Sequence, residues 1–173
     1  MAAEGEGVDD GNAEVTYRVV DSPVGELTRW PASGSTLTRL VIVGQRHQPD
    51  RTHWHADEDA FGDAVDQLRA YFDGELTRFD VEMRLAGTDF QQQVWDAVES
   101  IPYGQTRSYA QIAEQLGSPA HAGPVGVAVG RNPIPIIVGC HRVIGSGGDL
   151  TGYVGGIDCK KALLAREVGD DRW

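Results

Sequence analysis

The hydrophobic period of this chain changes near Gly87, and that change constrains its fold more than any other feature. Before it, β-branched residues alternate with polar ones in "VTYRVVDSPVGELTRWP", "GSTLTRLVIVG" and "TRFDVEMRL", the period of half-buried strands. Pro23-Val24-Gly25 predicts a turn, and the polar stretch "DRTHWHADEDAFGD" predicts a loop. One helix interrupts the strands: Phe61, Val65, Leu68 and Phe72 recur at helical spacing, and Gly74 is its stop. After Gly87 the helical period dominates. In "TDFQQQVWDAVESIP" a Thr/Asp cap precedes Phe90, Val94, Trp95 and Val98 on one face, and Pro102 and Gly104 end the run. In "SYAQIAEQLG" Ser108 is the cap, Ile112 and Leu116 share a face, and Gly117 is the stop. The pattern predicts an α+β protein. A small N-terminal domain over residues 15–86 holds a three-stranded sheet and a helix; a helical C-terminal domain spans residues 87–173.

Helix, glycine turn and the small-residue segment "SPAHAGPVGVAVG" outline a helix-turn-helix in that second domain. Gly123, Pro124, Gly126 and Gly130 make its second helix a poor one. If Ser118 is the cap, Pro124 lies beyond the first turn and an interior proline costs ~3 kcal/mol. If the helix begins near Pro124, the proline is tolerated. Asn132-Pro133 then predicts a turn, "IPIIV" a buried extended run, and "GSGGDLTGYVGG" a glycine-rich loop. The closing "IDCKKALLAREV" is a helix with Ile157, Lys160/Lys161, Leu163/Leu164 and Glu167 in register.

Charge narrows the partners. The formal net charge is −11, but residues 1–87 hold 17 acids and 8 bases, whereas residues 88–173 hold 9 acids and 7 bases. Residues 1–14 form a Gly/Glu/Asp-rich acidic tail that reads as disordered. The overall sign argues against generic, charge-driven nucleic-acid binding, while the nearly neutral second half leaves room for a local basic patch. No apolar run reaches the length of a membrane span, which predicts no membrane partner. The N-terminus lacks the basic and apolar regions of a signal peptide. Two cysteines, Cys140 and Cys159, are too few for a disulfide scaffold, so a cytoplasmic setting with free thiols is expected.

The stretch "IPIIVGCHRVIG" puts one of those thiols after an apolar run and before a histidine. Taken alone, Cys140 reads as a buried small hydrophobe. A nucleophilic cysteine must become a thiolate, which needs a base and a group to orient that base. His141 is adjacent, though successive side chains of an extended strand point apart, so a tight turn or a bridging water would have to join the two. Glu167 is one candidate among many for the acid. Taken singly, His141 is a surface or capping histidine and Glu167 a solvated helix residue. Cys159 sits among helix positions with no paired base and is a bystander.

Three motifs shift this reading. "IPYGQTRSYAQIAEQLG", "NPIPIIVGCHRVIG" and "GGDLTGYVGGIDCKKALLAREV" resemble the O6-alkylguanine-DNA alkyltransferases (methylated-DNA–protein-cysteine methyltransferases), almost without a gap from Thr88 to Glu167. "DSPVGELT" and "AVDQLRAYFDGELTRFDV" resemble that family's N-terminal domain in its bacterial form. The resemblance implies that Cys140 accepts the alkyl group irreversibly, once, with no cofactor and no metal. It implies that His141, through a water, and Glu167 form the relay to the thiolate, and that Asn132 braces the turn before the cysteine. Tyr109 then lies beside the guanine O6, Lys160 lies near the leaving base, and backbone groups of Val143 and Val154, with Ser146 in the same loop, hold the flipped base. The implied partner is DNA containing O6-alkylguanine, entered from the minor groove by a monomer.

The chain departs from the family's pattern twice. Gly139 stands where "PCHRV" has its proline, which adds freedom worth about 0.4–1 kcal/mol of unfolded-state entropy. Gly123 stands where "RAVG" has the arginine that fills the gap left by the flipped nucleotide; Arg131 and His121 lie nearby in sequence. The alternatives to duplex repair are therefore a degenerate lesion-recognition module and an alkyl acceptor acting on free or single-stranded O6-alkylguanine.

Overall fold

The computed structural model describes residues 15–20, 25–29, 36–42 and 52–169. The expected acidic tail and most of the Pro23-Val24-Gly25 turn lie outside them. Four strands form the first sheet: β1 (Thr16–Val20), β2 (Gly25–Arg29), β3 (Arg39–Val41) and β4 (His55–Ala56), in the order β3-β2-β1-β4. β1 and β2 are antiparallel with Thr16 opposite Arg29, β2 and β3 are antiparallel, and β4 runs parallel to β1 with Thr16 opposite His55.

This sheet differs from the expected three strands at two places. The polar stretch read as a loop supplies β4, whose two exposed residues pair through backbone alone: His55 N donates to Val15 O and Asp57 N to Tyr17 O. "TRFDVEMRL" forms no strand. It meets Leu37 in an isolated bridge at Met83, where Leu37 N donates to Glu82 O and Arg84 N to Leu37 O. Its alternation records contact with one residue of a neighbour, not a ladder.

Helix α1 (Gly62–Phe72) buries Ala64, Val65, Leu68 and Tyr71 in the hydrophobic core. Gly74, at φ +81°, ends it: Glu75 N donates to Ala70 O and Gly74 N to Tyr71 O, a pair that needs the left-handed residue between them. Helix α2 (Asp89–Glu99) starts at a full capping box, in which Thr88 and Gln91 satisfy each other's backbone N–H groups. Its Val94, Trp95 and Val98 are buried and Phe90 is half-buried. Gly87 is required just before it, because a Cβ there would lie 2.5 Å from the Trp95 ring.

The second half continues with β5 (Arg107–Ser108), α3 (Tyr109–Gln115) and α4 (Ala122–Gly130). Ser108 and Gln111 form a second capping box. Gly117, at φ +83°, turns the chain between α3 and α4, after which residues 119–121 form a single 3-10 turn. The two possible starts for α4 are thus resolved. Helix α4 begins at Ala122, so Pro124 is its third residue, where the missing N–H has no helical acceptor to lose. Trp95 Nε1 donates to Ala128 O at 2.9 Å and fastens α2 to α4.

Strand β6 (Val143–Ile144) pairs in parallel with β5, and α5 (Ile157–Val168) closes the described chain. The two halves are joined at the sheet edge, where Leu40 N donates to Pro133 O at 2.9 Å. Among the described residues no helix is long and apolar enough to cross a membrane.

Candidate active site

"IPIIV" is buried as expected but is not extended. Ile136 takes φ +76°, a conformation costly for a β-branched residue, and Val138 N donates back to Ile134 O at 3.0 Å. Asn132 holds this turn from inside. Its Oδ1 accepts from Ile134 N at 2.9 Å, and its Nδ2 donates to Val138 O at 3.0 Å and to Cys140 Sγ at 2.9 Å. The strained turn is thus tied to the cysteine by one buried amide.

The chain leaves the turn through Gly139, at φ −74°, and enters a 3-10 turn over Cys140–Arg142. That φ lies inside the range a proline ring imposes, about −65 ± 15°. The backbone therefore adopts the proline-compatible angle without a proline. Arg142 exploits the missing side chain, since a Cβ on Gly139 would stand 3.1 Å from its guanidinium arm.

Cys140, His141 and Arg142 are all buried. The chain forms a 3-10 turn here rather than continuing as an extended strand. His141 Nε2 lies 2.6 Å from Glu167 Oε2. Arg142 donates from Nε to Glu167 Oε1 at 2.7 Å and from Nη2 to Oε2 at 3.0 Å, with its Nη1 on Ile101 O at 2.9 Å. Burial works to raise the Glu167 carboxyl, but the hydrogen bonds and charges of His141 and Arg142 outweigh it and hold it down to about 2. Glu167 is therefore a carboxylate and only accepts. It follows that His141 Nε2 carries the proton and Nδ1 carries the lone pair. Burial, only partly offset by Glu167, keeps the imidazole neutral by lowering its pKa. Its Nδ1 is buried with no hydrogen-bond partner among the described residues. It is a base with its acceptor site open.

Burial pushes the Cys140 thiol up to about 12, against the lowering effects of the Asn132 hydrogen bond and the Lys160 charge. At rest the sulfur is thus protonated, and it needs a base to become reactive. Lys160 is fully buried; its Nζ donates to Val143 O at 2.7 Å and Gly152 O at 3.1 Å and lies 6.0 Å from the Tyr109 ring centroid. Burial brings its ammonium down to about 8, although Cys140 acts to raise it.

In front of Cys140 lies a cavity of about 650 Å³, lined among others by Tyr109, Gly123, Asn132, Ser146 and Val154. That volume falls in the ordinary range for small-molecule sites, about 300–1,000 Å³. The parallel pairing of β5 with β6 sets Tyr109, the first residue of α3, beside the loop after the cysteine. Thr151 Oγ1 donates to the Tyr109 hydroxyl at 3.1 Å. Gly123 lies at the cavity wall, and a Cβ there would meet nothing within 4 Å.

The structure thus places Cys140, Asn132, Tyr109, Ser146, Val154 and Gly123 on the cavity wall, with His141, Glu167 and Lys160 buried and outside its lining. Val143 is fully buried, with its carbonyl taken by Lys160, and does not line the cavity; Arg131 is exposed and does not line it either. Cys159 is half-buried, and burial raises its thiol. Two neighbours escaped the sequence reading. Arg142 stood in the quoted motif without a role, and Tyr71, which donates to Glu167 Oε2 at 2.6 Å, was hidden because the helical stripe ran through Phe72. Among the described residues, no cluster of three or more His, Cys, Asp or Glu is arranged to hold a metal ion.

Comparison with known proteins places this geometry in context. The ribonuclease-like domain of 6-O-methylguanine DNA methyltransferase matches residues 15–85, and the DNA binding domain of the same family matches residues 89–169. A methylated-DNA–protein-cysteine methyltransferase of Mycobacterium tuberculosis is 60% identical over 153 residues, which cover 88% of this chain and 92% of that protein. One from Methanosarcina acetivorans is 43% identical over 151 residues, covering 87% and 97%. The crystal structure of Mycobacterium tuberculosis OGT in complex with DNA matches with a TM-score of 0.82 at 59% identity, over 89% of this chain and 93% of that one.

Proposed function

The chain belongs to the 6-O-methylguanine DNA methyltransferase family, and from that premise we propose that it repairs DNA by moving an alkyl group from O6 of guanine to Cys140, once per molecule. The observation that carries this reading is a cavity-lining sulfur followed directly in the chain by a histidine whose Nε2 is held by Glu167 and whose buried Nδ1 has no partner among the described residues. In the proposed step the Cys140 proton passes through a bridging water to His141 Nδ1. The thiolate then attacks the alkyl carbon in line with the C–O6 bond, which breaks as the C–S bond forms. The electron pair stays on the guanine, and the Tyr109 hydroxyl, with Lys160 nearby, delivers the proton that makes neutral guanine. The proton held by His141 returns through solvent to the Tyr109 oxygen, so that alkyl and proton have in net exchanged places between sulfur and guanine, and the thioether does not revert.

The alkyl carbon must come within contact distance of Sγ, so a base in a duplex has to leave its stack; we place it in the cavity, entered from the minor groove by a single copy of the protein. Ser146 and Val154 hold it there. The residues 15–86 and 87–173 act as two domains of one cytoplasmic repair protein, and no cofactor takes part.

A second reading is supported by α4 itself. Residues 122–130 carry no charged side chain, and the arginine expected at 123 is absent. Unstacking costs a few kcal/mol, and nothing at Gly123 fills the gap it leaves. On that reading free or single-stranded O6-alkylguanine is the better donor, and a degenerate relative would bind lesions without reacting.

Intact-mass measurement after mixing with an O6-methylguanine duplex separates the three. Duplex repair predicts a gain of about 14 Da, one CH2, at a rate that falls as salt rises. Gain only from free or single-stranded donors supports the second reading, and no gain from any donor contradicts alkyl transfer altogether.

A further inference from the structure

Glu167 accepts four hydrogen bonds, and one of them comes from the N-terminal half of the chain. Arg142 supplies two, His141 one, and the Tyr71 hydroxyl the fourth, at 2.6 Å to Oε2, the same oxygen that His141 holds at 2.6 Å. Tyr71 is fully buried, on the last turn of α1, and its partner lies 96 residues away on α5. The hydroxyl cannot act as an acceptor toward a carboxylate that has no proton, so it donates. Burial first, then the Glu167 charge, drives its own ionisation far above the usual phenol range, which keeps it a donor at every working pH.

The surroundings tie this contact to the junction of the two halves. Arg166 Nη1 donates to Phe72 O at 2.6 Å, and its guanidinium lies 5.2 Å from the Phe72 ring centroid. The Tyr71 ring meets Tyr103 edge-on, with centroids 6.2 Å apart. Packing alone would account for a phenylalanine at position 71. It does not account for a hydroxyl placed on the oxygen that orients the imidazole.

We infer that Tyr71 is a positioning residue of the alkyl-transfer relay, through which α1 fixes the Glu167 carboxylate that orients His141. The inference rests on the reading of Cys140 as the alkyl acceptor. Its physical content is a shared oxygen. Three donors, His141, Tyr71 and Arg142 Nη2, divide the charge of Oε2, and with Arg142 Nε on Oε1 they leave the carboxylate plane no freedom to turn. Without the hydroxyl, Oε2 concentrates its charge on His141, the imidazolium is favoured, and the carboxylate gains play.

Tyr71→Phe keeps the ring and removes only the hydroxyl. The readout is the rate of Cys140 labelling by free O6-benzylguanine across pH, with thermal melting alongside. The expected result is a rate about tenfold lower and a pH–rate midpoint about half a unit higher than in the unaltered protein. Arg166→Ala, which loosens the same junction without touching Glu167, should leave the midpoint in place. Wild-type rate and midpoint in Tyr71→Phe would overturn the inference. So would equal losses in both variants with no midpoint shift, because that is the signature of packing alone. An unaltered protein that takes up no label would instead overturn the alkyl-acceptor reading on which the inference stands.

Discussion

The two sides of Cys140 are built on opposite principles. Behind it, His141, Arg142, Glu167 and Tyr71 form a buried network, and Asn132 holds the sulfur by its amide; among the described residues, His141 Nδ1 is the one buried polar side-chain atom of these five without a partner. In front of it, the cavity wall includes Ala122, Gly123, Gly126 and Gly130, which present almost no side chain. The rear is over-determined, so small changes there carry large costs: an unpaired buried charge is destabilising by about 3–5 kcal/mol. The front is under-filled, so additions there meet open space. On the proposed reading, the rear makes and orients a thiolate, and the front offers no side chain at position 123 to fill a gap in the DNA.

The largest effect that separates the two sides is expected at Glu167. Glu167→Gln removes the charge that three donors share and offers an N–H to a buried guanidinium. It should lower labelling of Cys140 by about a hundredfold and destabilise the fold by about 3–5 kcal/mol, read from labelling kinetics and denaturant midpoints. The same residue gives a pH signature. Its carboxyl is held at about 2 in the fold against the 4.5 of a free glutamate, so its contribution to stability is complete above about 4.5 and is lost as pH falls from there toward 2. Acid titration of the melting temperature should show a drop in that window in the unaltered protein and a flatter curve in Glu167→Gln.

His141→Ala comes next. It should slow alkylation by about 10²–10⁴-fold, the usual worth of a positioned general base, and displace the pH–rate midpoint upward toward the buried thiol's own ionisation. An unchanged pH–rate profile would take the rear network out of the chemistry. Gly123→Arg tests the front: with nothing within 4 Å of the new Cβ, folding should be unaffected. The rate on duplex O6-methylguanine should rise about tenfold with free-base labelling unchanged; an equal rise on both donors would show that the gap is not what limits duplex repair.

The smallest effect is expected where sequence and structure part most quietly. Gly139→Pro meets a backbone already at φ −74°, so the gain of about 0.4–1 kcal/mol from a stiffer unfolded chain is opposed only by the 3.1 Å approach to Arg142. Melting temperature and labelling rate should each stay close to those of the unaltered protein. A large loss of rate would show that Arg142 needs the space a glycine leaves.

What could be read from the sequence followed local chemistry. Thr88 and Ser108 are capping-box residues on their own evidence, and Gly74 and Gly117 end helices because the next hydrogen bonds require φ > 0. What could not be read depends on partners far away in the chain. The Ile136 turn is held by Asn132 and breaks the β-propensity of "IPIIV"; β4 exists only because β1 has a free edge. Tyr71 lies on the same helical face as Val65 and Leu68, but no periodicity says that its hydroxyl will find a carboxylate 96 residues on. The 3-10 turn over Cys140–Arg142 was illegible for the same reason, because Glu167, 25 residues on from Arg142, holds the His141 and Arg142 side chains there.

The most direct test of the account is a peptide map of the protein after reaction with an O6-methylguanine duplex. The network behind Cys140 predicts the methyl group on the peptide holding Cys140, none on Cys159, and none anywhere in Cys140→Ala. A methyl group on Cys159, or one that persists in Cys140→Ala, would contradict it.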